Sequence, residues 1–457
     1  MTKNKRKFII DSENVAFDIK HSNTIKFNIS KYDVAFTAGL NRYHDLKRAR
    51  EIAATIKRDV VKNLPHYLEC FEKKATSNGI EVLWAEQPHQ AVQYIKQIAR
   101  EAGVTKVVKS KSMTSEELHL NEELAKEGIE PVETDLGEFI VQKAGEKPYH
   151  ILTPAMHKSR QDVADLFNRL YGTSRNESAE ALTGFVRNKL RDDFEEAGIG
   201  VSGANFLLAR EGGIALTENE GNGLFTISYP KIHIVIAGIE KILPSAENLD
   251  LFWPLLACHG TGQQVSVYNS MVFGPKKPDE INGPERMVVI LLDNGRSQLY
   301  AKEHQSEALS CIRCGACLNA CPIYKNIGGY TYNAVYSGPI GSVITPHLKP
   351  FKDYNHLSFA SSLCGRCYEV CPVKINLPQL LLYNRHEAVE KGLTPIAEKA
   401  GFALFGWSMQ SFKRVEWLRS IAKGYVFSEL MAGVFGKKRK FSGLSRSSFR
   451  NQWLKKV

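Results

Sequence analysis

The sequence predicts an α/β domain with a mostly parallel sheet, followed by a helical, cysteine-rich domain and a helical, basic C-terminal extension. Three observations predict it. Short apolar runs alternate with amphipathic stretches between residues 80 and 132, seven of the nine cysteines fall between Cys311 and Cys371, and nearly all of the net charge of +11 lies after residue 400. A chain of 457 residues is too long for one ordinary domain. With 43% hydrophobic and 24% charged residues it can bury a sizeable core, which excludes wholesale disorder, a collagen repeat and a disulfide-dense miniprotein.

Residues 1–59 read as a helical or extended arm. Residues 41–79 carry apolar positions at helical spacing after Asn41-Arg42-Tyr43-His44-Asp45 and read as a helical stretch. A βα alternation then begins. Glu81 to Trp84 is a strand, Gln90 to Ala102 an amphipathic helix and Lys106 to Val108 a second strand. Thr114 to Lys126 follows as a helix with Thr114 or Ser115 as its N-cap, and Ile129 to Val132 is a third strand. Alternation of this kind predicts a parallel sheet covered on both faces. Ile232 to Ala237 and Met287 to Leu292 read as its buried central strands, with Gly221-Asn222-Gly223 as a turn before the first and Gly260-Thr261-Gly262 as a turn between them. The α/β domain is thereby placed at 60–300, the cysteine domain at 301–394 and the basic extension at 395–457.

The cysteine domain opens with Cys311-Ile-Arg-Cys314-Gly-Ala-Cys317-Leu-Asn-Ala-Cys321-Pro322, the C-x2-C-x2-C-x3-C-P spacing of a bacterial [4Fe–4S] ferredoxin. Three thiolates on one tight loop reach three irons of a cubane, and in two-cluster ferredoxins the fourth serves the other cluster. A second motif follows, Ser361-Ser-Leu-Cys364-Gly-Arg-Cys367-Tyr-Glu-Val-Cys371-Pro372, with 42 residues, Pro322 to Leu363, between Cys321 and Cys364. The crossed arrangement gives Cys311, Cys314, Cys317 and Cys371 to one cluster and Cys321, Cys364 and Cys367 to the other. Serine stands where the second motif needs its first cysteine. The second cluster is then either [3Fe–4S] or a [4Fe–4S] whose fourth iron takes the Ser361 hydroxyl, water, or a ligand from a partner or substrate. Structural zinc is a distant second reading, and Cys70 and Cys258 read as core residues.

The extension holds twelve Lys or Arg against two Glu between residues 401 and 457, together with Trp407, Trp417 and Trp453. An apolar stretch, Gly401 to Arg419, precedes Lys437-Lys438-Arg439-Lys440 and a Ser/Arg-rich tail. Docking to an anionic membrane surface or an acidic partner fits this pattern, and so does a packed helix pair followed by a solvated tail, the reading favoured from Ser442 onward; no nucleic-acid-binding fold accompanies it and none is expected. No run of about 18 apolar residues suits a membrane span and no apolar segment follows the basic start. A cytoplasmic protein, peripheral at the inner face of the membrane if docked, is the expectation.

Other polar groups carry weaker signals. Lys109-Ser110-Lys111-Ser112 follows the second strand and suits either an anion at the strand ends or a turn with solvated lysines, the latter favoured. Glu133, Asp135 and Glu138 suit acid–base work or, better, helix capping. Glu218, in Thr217 to Gly223, lines either a pocket or a hairpin turn. No GxGxxG or Walker loop supports a bound nucleotide.

Together, Gly212-Gly213-Ile214-Ala215-Leu216-Thr217-Glu218, His233-Ile234-Val235-Ile236-Ala237-Gly238, the complete ferredoxin motif and Leu363-Cys364-Gly-Arg-Cys367-Tyr-Glu-Val-Cys371-Pro-Val-Lys-Ile resemble the lactate utilisation protein B family over nearly the whole chain. The resemblance implies an α/β domain like that of sugar-phosphate isomerases. It implies an iron–sulfur electron-transfer subunit in oxidation of L-lactate to pyruvate, with the companion lactate utilisation proteins A and C as partners. Ser361 in the first position matches the family's usual pattern. The alternative is a redox enzyme with its own substrate site in the α/β domain, in which Lys109, Glu133, Asp135 and Glu218 would converge and the clusters would supply or accept electrons.

Overall fold

The computed structural model describes residues 2–421 and 447–454. Contacts divide the chain into two units, residues 2–386 and 387–457.

The first unit contains ten strands: β1 (Ile80–Ala85), β2 (Lys106–Lys109), β3 (Glu130–Glu133), β4 (Ile199–Gly203), β5 (Phe206–Leu208), β6 (Gly213–Glu218), β7 (Ile232–Gly238), β8 (Ile242–Leu243), β9 (Tyr268–Val272) and β10 (Arg286–Leu292). Six of them form a parallel sheet in the order β1-β10-β7-β4-β2-β3. Its central strands alternate between two cores. Ile234, Ile236, Val288 and Ile290 pack with Ile95 and Ile98 of the helix Pro88–Glu101. Val235, Ala237, Val289 and Leu291 pack with Val60, Leu68 and Phe71 of the helices Leu46–Lys62 and Leu64–Ser77. Burial on both faces is why these strands are apolar throughout rather than alternating. A second sheet, ordered β8-β5-β6-β9, pairs β5 with β6 and β6 with β9 antiparallel.

Four sequence expectations change in detail. The helical stretch 41–79 is two helices, separated at Asn63 with Pro65 in the first turn of the second. The helix expected from Thr114 is also two, Met113–Glu117 and Leu120–Ala125, because His119 takes a left-handed φ of 51°. Its N-cap is Ser112, whose hydroxyl accepts from the Ser115 amide. Gly221 opens the helix Asn222–Ser228 instead of a hairpin, and Gly262 ends the helix Leu249–Thr261; both need a positive φ, which glycine adopts at no steric cost.

The N-terminal arm is helical, Lys3–Ala16 and Ile19–Leu40, and Ile25, Ile29 and Phe36 are buried in one core with Tyr324, Val343 and Leu357 of the cysteine domain. Among the described residues no helix is long and apolar enough to cross a membrane.

In the second unit the helices Ile396–Met409 and Phe412–Ile421 pack together, with Trp407 edge-on to Trp417 and the Arg414 guanidinium over the Trp407 ring. Arg450 of the helix Phe449–Trp453 lies over Phe412. Lys437–Lys440 fall outside the described residues.

Candidate metal centre and the cavity beside it

The two cysteine motifs have the same local backbone. In the first, the Arg313 amide donates to Cys311 Sγ at 3.4 Å, Arg313 is left-handed (φ 60°) and Gly315 follows at φ 75°. In the second, the Leu363 amide donates to Ser361 Oγ at 3.1 Å, Leu363 is left-handed (φ 54°) and Gly365 follows at φ 84°. Ser361 therefore occupies the structural place of Cys311, one hydroxyl for one thiol. Each left-handed residue precedes a cysteine and a glycine that opens a short helix, Ala316–Ala320 or Arg366–Glu369, and these two helices pack together. Cys321 caps the helix Pro322–Ile327, its sulfur accepting from the Tyr324 amide at 3.5 Å, and Cys371 accepts from the Ile375 amide at 3.3 Å. Amide dipoles aimed at sulfur favour the thiolate.

All nine cysteines are free thiols. The electrostatic neighbours of Cys314 are Cys371 and Cys311, those of Cys317 include Cys311, Cys314 and Cys367, and those of Cys367 are Cys321 and Cys364. One group thus contains Cys311, Cys314, Cys317 and Cys371; the other contains Cys321, Cys364 and Cys367; Cys317 and Cys367 join them. Burial, then the nearby sulfurs, pushes Cys314 and Cys317 far up and Cys367 to about 12. Burial pushes Cys371 up to about 11. Thiols this expensive to ionise alone, gathered without disulfides, suit a positively charged inorganic core that compensates several thiolates at once. Among the described residues no three His, Cys, Asp or Glu side chains converge on a single ion-sized point. Cubane thiolates are spread over separate irons.

In the first group Cys314 and Cys371 are buried and Cys311 and Cys317 half-buried; in the second Cys321 and Cys367 are buried and Cys364 is exposed. Cys258 is buried in the helix Leu249–Thr261 and Cys70 is half-buried on the helix Leu64–Ser77, 3.8 Å from His66 Nε2.

Sequence spacing gave no hint of what secures these loops. Arg50 donates to the Cys371 carbonyl at 2.7 and 3.0 Å and to the Glu369 carbonyl at 2.7 Å. The first loop is held by a buried ionic chain. Arg313 Nη2 pairs with Glu240 Oε1 at 2.9 Å, Arg296 Nε with Glu240 Oε2 at 2.6 Å, and Arg296 Nη2 with Glu117 Oε1 at 2.6 Å. Tyr336, under the Arg313 guanidinium, donates to Glu117 at 2.5 Å. Burial alone would raise Glu240, but Arg296, Arg313 and Lys241 outweigh it and pull its carboxyl to about 2. Lys57 Nζ donates to the Glu240 and Ile242 carbonyls behind it.

A cavity of about 280 Å³ lies beside the first loop, where the carboxyl ends of β2 and β4 and the segment after β7 meet it. Lys111, Lys241 and Arg313 line it, as do Asp135, Glu218 and Glu220. Ligands of open α/β sheets bind at such strand ends.

The polar residues read from the sequence separate here. Asp135 caps the helix Leu136–Lys143 through the Glu138 amide, and Glu218 accepts from the Gly223 and Leu224 amides. Lys109 is not solvated. It is fully buried, pairing with Glu133 at 2.8 Å and Glu116 at 3.3 Å, and these carboxylates outweigh burial and hold its pKa above the ordinary lysine value. Glu138, buried beside them with no partner on either oxygen, is pushed well up by burial and then by Glu133. Lys111 donates instead to the Leu152 carbonyl.

A covered parallel sheet joined to paired ferredoxin-type loops defines the class, and two family models match accordingly: the LUD domain over residues 68–292 and the 4Fe-4S dicluster domain over residues 307–375. Over 363 residues the chain is 42% identical to Lactate utilization protein B of Bacillus cereus (strain B4264), covering 79% of this chain and 76% of that protein. It is 41% identical, over the same shares, to Lactate utilization protein B of Bacillus thuringiensis (strain Al Hakam) and of Bacillus anthracis (strain CDC 684 / NRRL 3495). The chain belongs to the lactate utilization protein B family. Among solved structures it matches a DUF162 family protein from Deinococcus radiodurans at 13% identity, covering 50% of this chain and 98% of that one, with a TM-score of 0.28 that carries no statement about the fold.

Proposed function

We propose that this chain is an iron–sulfur electron-transfer protein in the oxidation of L-lactate to pyruvate, the electron-transfer subunit of an L-lactate dehydrogenase complex, passing electrons between partner subunits. The observation that carries the reading is the pair of adjoining thiol groups, one on a loop whose Arg313 lines a cavity and one reaching the surface at Cys364. Cys311, Cys314, Cys317 and Cys371 would hold one [4Fe–4S] cluster, and Cys321, Cys364 and Cys367 the other. Bound there, each cluster supplies a one-electron site. The chain's own residues hold the thiolates at fixed separation, aim amides at sulfur, and leave the second group accessible to a partner. The companion lactate utilisation proteins A and C are the partners this reading implies, and the names of the curated relatives support the pathway.

Ser361 sets the composition of the second cluster. Its Oγ sits where Cys311 Sγ sits in the first loop, so a cysteine there completes a fourth thiolate without backbone change. Iron and sulfide analysis with electron paramagnetic resonance on the anaerobic protein should show one complete cubane plus a second signal that alters in Ser361→Cys. Identical spectra and iron content in both proteins would remove Ser361 from the site.

The basic extension is proposed as a membrane-surface anchor. In its first helices Phe402, Phe405, Trp407, Met409 and Trp417 are exposed on a segment that also carries Lys413 and Arg414. Aromatic and basic residues together suit the interface of an anionic bilayer. The full chain should float with phosphatidylserine-containing vesicles, weakly at high salt and not with neutral vesicles; equal recovery from both would discard electrostatic docking.

A further inference from the structure

We propose that the cavity beside the first cysteine loop is a binding site for a small monocarboxylate bearing a hydroxyl or keto group, such as a 2-hydroxy or 2-oxo acid. Arg313 carries the inference. Its side chain is only 9% exposed and lines the cavity, and one nitrogen is committed to Glu240. Its Nε and Nη1 are buried with no hydrogen-bond partner in the protein. Buried donors on a charged group left unmade are costly, and a carboxylate in the cavity is the group that guanidinium donors bind best. Lys241, half-buried on the same cavity, adds a second cation.

The remaining lining sets the class of anion. Asp135, Glu218 and Glu220 repel a second negative charge, so dicarboxylates and phosphate esters are disfavoured while a neutral hydroxyl or carbonyl is accepted. Asn205, Thr217 and Ser112 supply neutral polar groups in the same space. A volume of about 280 Å³ suits a small molecule and lies near the lower end of ligand sites.

Position gives the site its meaning. Arg313 stands between Cys311 and Cys314 in the chain, so an anion on its guanidinium lies against the loop of the first thiol group. The choice of a lactate-like ligand rests on the reading above; the existence of an anion site does not. Neither Arg313 nor Lys241 was singled out from the sequence, because neither belongs to a motif that signals anion binding.

The test is isothermal titration of the full-length, anaerobically purified protein with L-lactate, pyruvate, citrate and inorganic phosphate, with iron content measured on the same sample. Saturable binding of L-lactate or pyruvate is expected, at least about tenfold weaker in Lys241→Met and in Arg313→Gln, as loss of one charge-assisted hydrogen bond predicts. Ligand at the concentration that half-saturates wild type should also shift the resonance of the reduced first cluster in wild type and shift it less in Lys241→Met. Lys241→Met lies outside the cysteine loop and decides the matter if Arg313→Gln loses iron. No monocarboxylate binding, binding unchanged in Lys241→Met, or citrate and phosphate binding as well as lactate would each overturn the site. Low iron with intact anion binding would instead count against the electron-transfer reading and leave the site standing.

Discussion

Replacing Cys314 by alanine should cost the protein about half of its iron and abolish lactate-dependent growth in a strain relying on this chain. Cys314 is 7% exposed and interacts electrostatically with Cys371 and Cys311, so its loss removes one ligand from the four-thiol group. Cys258 lies in a separate helix, where burial pushes its thiol up to about 11 and its electrostatic neighbour is Arg42. Cys258→Ala is therefore the control. It should keep full iron and visible absorbance, with a stability loss of about 1 kcal/mol from the missing buried atom. Iron per chain and growth on lactate as sole carbon source check both variants. Wild-type iron in Cys314→Ala would sink the assignment of the first group, and iron loss in Cys258→Ala would mean that the core cysteine had been misjudged.

The parts of this molecule that were legible in the sequence are those whose physics is local. Cysteine spacing, the serine in place of a fourth cysteine, Asp135 as a helix cap and the two apolar central strands are each specified within about a dozen residues. The small mixed sheet escaped because β5 and β8 are only three and two residues long, too short for a periodic pattern. Lys109 was misread as solvated because its partners, Glu133 and Glu116, come together only when β2 and β3 pair and the following helix packs beside them. The Glu117–Arg296–Glu240–Arg313 chain draws on four distant stretches of sequence, so no window contains it. That chain joins the sheet to the first cysteine loop, the junction on which coupling between a cavity and a redox centre would depend.

Substituting Arg296 should therefore be among the most damaging changes outside the cysteines. The side chain is 1% exposed and engages both Glu117 and Glu240, which are themselves buried. Arg296→Met keeps the volume but leaves two buried carboxylates without their shared cation, a situation that costs about 3–5 kcal/mol. For a unit of this size that corresponds to a fall of roughly 4–6 °C in apparent melting temperature. Adding Glu117→Gln to Arg296→Met should recover part of the loss, since one stranded charge is then removed. The same chain sets the acid limit of the fold. Glu117 and Glu240 are both held below the ordinary carboxylate value of 4.5, Glu240 at about 2, because the arginine charges outweigh the burial penalty. A depressed carboxylate contributes stability that is complete above its unfolded value and is lost as pH falls through the folded one. Wild type should hold its melting temperature from neutral pH down to about 4.5 and lose it steadily toward pH 2. In Arg296→Met Glu117 loses its cation and Glu240 keeps only Arg313 and Lys241, so the decline should begin at higher pH. Thermal melts across that range check the sign, and a variant whose acid limit matches wild type would show that the chain does not govern it.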